Sequence, residues 1–433
     1  MSDNNTLLVE PIVEPTPAII KAIGVGGGGG NAVSQMYREG IDGVRFLACN
    51  TDSKALADVP IPDKLQLGPG LGAGGRPDVG REYAEESVDR IVSALDDGTK
   101  MVFITAGMGG GTGTGASPVI AREAKRLGIL TVGIVTIPFA FEGLRQIDKA
   151  LDGLDCLAEE VDALLIINNQ RLVDIYADCD VLTAFKYADD TLTTAVRCIV
   201  EVITMHGRIG LDFCDAANVL RDGGVAIMST GYGEGKGRVT KALDDALYSP
   251  LLNNNDVYRS RKVILSITTS SAQACALRMD EINEVENFMS KFRSDVETKW
   301  GLTLDDSVGD QVKISILASG FKLYEKATDE RPADDETERA KAERRRRNYP
   351  SLQPNRHNGK RTRPEVFIFS VDDLDNEALV AGVEAQPTAE RSSQALGELC
   401  ALVKAKNAAP HTAPQRQAGP EEATPYIDFT IGG

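Results

Sequence analysis

Histidine is nearly missing from this chain: there are three in 433 residues, His206, His357 and His411. A histidine acid/base of the hydride-transfer kind is therefore not expected anywhere before His206. The seven cysteines (Cys49, Cys156, Cys179, Cys198, Cys214, Cys275 and Cys400) are scattered and form no C-x-x-C pair. That spacing excludes a zinc site of that type and a disulfide framework, and it fits a reducing cytoplasm. No apolar run is long enough to span a bilayer, and MSDNNTLLVEPIVEPTP at the start has no basic stretch leading into an apolar one. Neither membrane insertion nor a secretory signal is expected, so any membrane contact would come through a partner. Basic charge is also short: 47 Lys and Arg against 64 Asp and Glu give a formal net charge of −17. General nucleic-acid binding would have to overcome that repulsion from phosphate.

Glycine, by contrast, is abundant, and it is concentrated in two segments that each follow an apolar run: GVGGGGGNAV (Gly24 to Val33) and GMGGGTGTGASP (Gly107 to Pro118). Without a Cβ, successive backbone N–H groups can close around a phosphate, and a following helix adds the positive end of its dipole. Two such loops suggest a parallel sheet gripping one polyphosphate from two sides. Residues Gly110 to Ser117 read G-x-x-x-x-G-A-S, close to the P-loop pattern but with Ala116 in place of its lysine. Backbone N–H groups, the hydroxyls of Thr112 and Thr114, a helix dipole and Mg²⁺ would then carry the phosphate charge. Pro118 is expected in the first turn of the next helix, where its missing N–H costs nothing. A dinucleotide-binding site competes, since Gly24, Gly26 and Gly29 spell G-x-G-x-x-G and Asp52 follows the next strand. The second glycine loop and the lack of histidine weigh against a nicotinamide-dependent oxidoreductase.

The runs AIIKAIGV, VRFLACN, MVFITAG, LTVGIVTI and ALLIINN read as parallel strands buried on both faces, which predicts a doubly wound α/β domain over 18–181. Leu192, Val196, Ile199 and Ile203 recur at helical spacing, giving a long central helix and a following acidic segment over 182–222. RKVILSITTS and VKISILASGF, bracketing the helix MDEINEVENFMSKF, predict a smaller α+β domain over 223–325. Residues 1–17, with three prolines, read as a flexible leader. Residues 326–433 are charged and proline-punctuated and read as a disordered linker and tail, with EVFIFSVDDL and TPYIDFTIGG as apolar islands suited to docking. The arginine run Arg344 to Arg347 reads as solvated linker, with a contact to anionic lipid or nucleic acid as the sharper alternative.

GGGTGTG (Gly109 to Gly115), GVGGGGGNAV, NTD (Asn50 to Asp52), GAGGRPDVG (Gly72 to Gly80) and PFAFEG (Pro138 to Gly143) together resemble the tubulin/FtsZ family of GTPases, in its bacterial cell-division branch. The similarity runs from about Ile19 to about Phe321. It implies a cytoplasmic GTPase that polymerises head to tail and scaffolds the division ring, with GTP or GDP bound together with Mg²⁺ held mainly by the nucleotide. Partners would be further copies of the chain, and a membrane tether and regulators reached through the carboxyl-terminal tail.

By the same resemblance, the phosphates would lie on Gly26, Gly27, Gly28, Gly29, Gly30, Asn31, Ala73, Gly74, Gly109, Gly110, Gly111, Thr112, Gly113, Thr114 and Gly115. Pro138, Glu142, Arg145, Asn169, Phe185 and Asp189 would surround ribose and base. The physics agrees for Asp189, because a carboxylate accepts from guanine N1–H and N2–H₂, whereas adenine has no N1–H to donate. On its own helix, Phe185 could equally be an ordinary core residue.

Asp212 and Asp215 lie at i, i+3 in GLDFCDAANVL and read locally as a helix N-cap and a first-turn acid. The resemblance makes them the catalytic residues that reach the nucleotide of the next subunit. Three departures stand out: Gly210 replaces the family's asparagine, Gln146 replaces an arginine with Arg145 one place earlier, and the usual carboxyl-terminal docking peptide is missing. The first two motivate an alternative, a GTP-binding polymerising scaffold with slow or lost hydrolysis.

Overall fold

The computed structural model describes residues 19–175, 180–205, 207–247, 257–272, 275–321 and 333–349. The leader, His206, His357, His411, Cys179, Cys400 and both apolar islands lie outside the described residues.

The apolar runs form β1 Ile20–Val25, β2 Val44–Asn50, β3 Lys64–Gln66, β4 Met101–Gly107, β5 Leu130–Ile137 and β6 Ala163–Asn168. They are parallel, in the spatial order β3-β2-β1-β4-β5-β6. Every residue of β1, β5 and β6 is buried, which explains why these strands are apolar throughout rather than alternating. Around them pack α1 Gly26–Glu39, α2 Ser53–Asp58, α3 Pro77–Glu85, α4 Val88–Leu95, α5 Thr112–Arg126, α6 Leu144–Glu160 and α7 Asn169–Ile175. The strand order reverses between β1 and β4. Ligands of open α/β sheets bind at the carboxyl ends of strands beside such a switch point, and α1 and α5 both begin there.

The central helix α8 runs Val181–Thr204, with Leu192, Val196 and Ile199 buried on one face. Beyond it come β7 Gly207–Ile209, α9 Phe213–Leu220, β8 Gly224–Gly233, α10 Arg238–Leu247, β9 Lys262–Thr269, α11 Met279–Met289, β10 Glu297–Leu304 and β11 Val312–Phe321. β8, β11 and β9 pair antiparallel around a core that includes Val263, Leu265, Phe288 and Ile316. Only Ala163–Gly224 and Leu164–Val225 join β6 to β8, and through that short seam the eleven strands form one continuous sheet. No described helix is long and apolar enough to cross a membrane.

The structure departs from the sequence expectation after residue 325. A helix, α12 Ala333–Asn348, is followed by Tyr349, which is fully buried in the core of the amino-terminal sheet. Arg344 pairs with Asp152 and Asp155, and Arg345 pairs with Asp148, all on α6. This segment is therefore neither disordered nor simply solvated. Its low mean hydropathy concealed a helix held by charge partners 189 to 197 residues away in sequence and by a single aromatic anchor.

Candidate functional site

The first glycine segment is a helix beginning rather than a loop, whereas the second makes a short turn over 108–111 before its helix. α1 starts at Gly26, directly after β1, and α5 starts at Thr112. Neither has a side-chain cap or an acidic residue in its first turn, so the N–H groups and the positive dipole end of both helices remain available to an anion. Gly26 has φ +75°, and a Cβ there would lie 2.9 Å from the backbone nitrogen of Gly113, so the two segments abut. Pro118 is correspondingly seven residues into α5, not in its first turn, because tight packing against α3 starts the helix earlier than glycine propensity suggests. A Cβ on Gly115 would meet Pro77 O at 2.0 Å, and one on Gly111 would meet Arg76 N at 2.8 Å.

These contacts divide the predicted phosphate residues. Gly27 and Gly28 are exposed and Gly107 and Gly110 half-buried, whereas Gly29, Gly111, Gly113 and Gly115 are buried and needed for close backbone approach. Gly30 is buried, with Val59 its nearest neighbour. The Thr114 hydroxyl accepts from Gly109 N at 2.8 Å and so staples its own loop, while the Thr112 hydroxyl meets that of Thr51 at 2.6 Å. Ala73 is buried and would touch a Cβ on Gly111, supporting that turn from behind; Gly74 has φ +57° in the neighbouring turn.

A cavity of about 240 Å³ opens between the helix ends, lined by Gly28, Asn31, Gly107, Gly110, Pro138, Glu142, Gln146, Asn169, Phe185 and Asp189, among others. A second, of about 480 Å³, shares Asn31, Phe185 and Asp189 and continues toward Arg38 and Lys186. Phe185 is 41% exposed and stands edge-on to Phe139 with centroids 5.0 Å apart, so it faces the cavity rather than the core. Asn169 is buried, and its Oδ1 has no hydrogen-bond partner. An orphaned buried acceptor beside a cavity calls for a donor from a ligand. Asp189 completes that end: burial, and then the neighbouring Asp190, push its carboxyl up to about 7. Burial likewise raises Glu142, whose Oε1 accepts from Phe139 N at 2.8 Å.

Arg145 is exposed and does not line the cavity; Gln146, treated above only as a departure, does. At the start of α6 adjacent residues point about 100° apart, so the shift by one position is not neutral. Met108 and Thr136, which no sequence signal marked, also line it.

Asp212 and Asp215 line neither cavity. Asp212 caps α9, its Oδ1 accepting from Asp215 N at 2.9 Å, while Asp215 Oδ2 accepts from Asp212 N at 3.2 Å. Asp215 is also ion-paired with Lys299 of β10, which holds its carboxyl below the usual carboxylate range. Among the described residues no group of three or more His, Cys, Asp or Glu is placed to hold a metal ion.

A parallel sheet with two uncapped helix ends, and between them a cavity with one orphaned acceptor and one half-buried carboxyl, defines a nucleoside-phosphate-binding α/β protein. The sequence profile of the "Tubulin/FtsZ family, GTPase domain" matches residues 19–177, that of the "FtsZ family, C-terminal domain" matches 224–322, and a further "FtsZ, C-terminal" profile matches 361–406. "Cell division protein FtsZ" of Porphyromonas gingivalis is 53% identical over 312 residues, covering 71% of this chain and 68% of that protein. Its counterpart in Aquifex aeolicus is 42% identical over 311 residues, covering 70% and 83%. Among solved structures, the empty FtsZ dimer of M. jannaschii superposes with a TM-score of 0.64 at 34% identity, covering 73% of this chain and 96% of that one. The chain belongs to the Tubulin/FtsZ family, and its residues 19–177 match that family's GTPase domain.

Proposed function

We propose that this protein is a cell-division GTPase that binds GTP in the cavity between α1 and α5 and assembles head to tail into filaments. The observation that carries the reading is the pairing of Asn169 Oδ1, buried without a partner, with the Asp189 carboxyl in one cavity. Guanine offers two adjacent donors to a carboxylate, and phosphates would continue toward the free N–H groups of α1 and α5. Mg²⁺ would arrive on the phosphate oxygens, since no carboxylate cluster among the described residues stands ready for it. Phe185 would pack on the base; Pro138, Glu142 and Gln146 would bound the ribose side.

Hydrolysis is assigned to a junction between copies: Asp212 and Asp215, absent from the cavity of their own chain, would complete the site of the next subunit. Division of labour follows the sequence, with 18–181 binding nucleotide, 182–222 delivering the acidic segment and 223–325 carrying the opposite contact face. A membrane tether and regulators would engage the tail beyond residue 349, placing the filament at the division site.

Sedimentation with GTP, with GDP and with a slowly hydrolysed GTP analogue tests the reading. GTP and the analogue should pellet the protein and GDP should not. Equal pelleting with ATP and GTP would contradict the base assignment.

A further inference from the structure

The arginine run after the carboxyl-terminal domain is used neither for nucleotide binding nor for assembly in the reading above, yet it docks on the back of the nucleotide site. Asp148, Asp152 and Asp155 share one face of α6, at i, i+4 and i+7. Arg345 grips Asp148 through both Nε and Nη2 at 2.5 Å, and Arg344 reaches Asp152 at 2.8 Å and Asp155 at 2.5 Å. Paired fork-to-carboxylate bonds of this kind fix orientation as well as charge. They aim the end of α12 inward, where Tyr349 is buried and its hydroxyl donates to Pro138 O at 2.6 Å. Alongside, Asn168 Nδ2 donates to the Asn348 carbonyl, and Asn168 Oδ1 accepts from Gln170 N at 3.0 Å.

Both anchor points adjoin the cavity. Pro138 and Asn169 line it, and Phe139 between them carries the edge-on contact to Phe185. Gln170 closes the arrangement by accepting from Ala140 N at 2.9 Å. The segment Pro138–Gly143 and the start of α7 are thus held from behind by Asn348 at the end of α12 and by Tyr349 just after it.

We propose that α12 is a strap of the GTPase domain and that Tyr349 is a positioning residue for guanine-nucleotide binding, setting Pro138–Gly143 and Asn169 from the face opposite the ligand. This rests on GTP occupying the cavity. Undocking the strap leaves the nucleotide segment free to sample other conformations, and apparent affinity falls by the fraction of molecules in which it is misplaced. The arginine pairs are partly exposed, so the strap weakens as salt rises, while the buried tyrosine supplies the fixed point.

The test uses the full chain, at a concentration below assembly, titrated with GDP, with amide exchange over 138–143 followed separately in the absence of nucleotide. Tyr349→Ala and the double variant Arg344→Ala, Arg345→Ala should each weaken GDP binding by about tenfold and speed exchange over 138–143. Tyr349→Phe, which keeps the ring and loses the hydroxyl, should fall between them and the unmodified chain, and Arg345→Lys should recover part of the loss. If Tyr349→Ala fails to fold, the arginine variant carries the test, because it leaves the core aromatic in place. GDP affinity within about twofold of the unmodified chain, together with unchanged exchange over 138–143, overturns the proposal. Asp189→Ala run in parallel separates the two readings. If it leaves GDP affinity untouched, the cavity assignment fails, and the exchange measurement still decides the strap.

Discussion

Lys299 on β10 closes an ion pair onto Asp215 in the first turn of α9, and the same carboxylate accepts the backbone N–H of Asp212. The acidic segment is thereby tied to β10, which lies between β9 and β7 in the sheet, as well as capping its own helix. Asp215 is held below its usual range first by the lysine hydrogen bond, so its stabilising contribution is present above the unfolded value of about 3.9. That contribution is lost as pH falls below this value through the depressed folded one. Lys299→Ala should therefore lower the melting temperature at neutral pH, and the gap should close in acid. A gap of constant size from pH 7 to pH 3 would show that the pair contributes nothing through charge.

Nucleotide affinity should itself depend on pH. Burial, and then Asp190, push the Asp189 carboxyl up to about 7, and guanine's donors favour the ionised form. Affinity for GDP should hence be full above pH 7 and fall about tenfold per unit below it, with proton release on binding near pH 7. Asp190, next to Asp189 on α8, adds to the rise and should set the midpoint without removing the dependence. Asp189→Asn should abolish the pH dependence and erode the preference for GTP over ATP, which for such hydrogen-bonded recognition reaches roughly 10⁴–10⁵. Titrations at pH 6 and 8 decide the point.

Gly210 has open space where a Cβ would stand, and its backbone is not in the left-handed region. Gly210→Asn should therefore fold at unchanged stability and, by restoring the family's amide, raise the rate of phosphate release in the assembled state. A fall in melting temperature, or slower release at equal polymer mass, would show that glycine is needed here.

Gly115 tests which glycines serve packing rather than phosphate. Its added Cβ would sit 2.0 Å from Pro77 O, a backbone atom with no flexible end to yield. Gly115→Ala should cost about 1–3 kcal/mol, the usual range for overpacking, measured by denaturant unfolding without nucleotide. Gly27→Ala, with nothing within 4 Å, should cost far less in the same assay.

Much of the fold was legible because the parallel strands are buried on both faces, so VRFLACN or LTVGIVTI could hardly be read otherwise. The helical character of GGGGGN was not legible: local propensity opposes it, and only contacts such as Gly26 against Gly113 select it. β7 and β10 escaped for a related reason, as ETKWGLTL alternates weakly and is defined by its pairing with β9. Asn169, Phe185 and Asp189, named through family motifs, all line the cavity, whereas Gln146 lines it and Arg145 does not, because one residue's rotation on α6 is invisible in a motif. The strap was missed because composition records neither the three aspartates opposite Arg344 and Arg345 nor the depth reached by one tyrosine.

The central claim, that hydrolysis is completed between subunits, is tested most directly by phosphate release per molecule of protein across a dilution series. A site shared between copies predicts specific activity that rises steeply with protein concentration. It also predicts that Asp215→Ala binds GTP normally while losing turnover by roughly 10²–10⁴. Specific activity that stays flat on dilution, with Asp215→Ala turning over at the unmodified rate, would contradict it and leave Asp212 and Asp215 as the helix cap that their hydrogen bonds already make them.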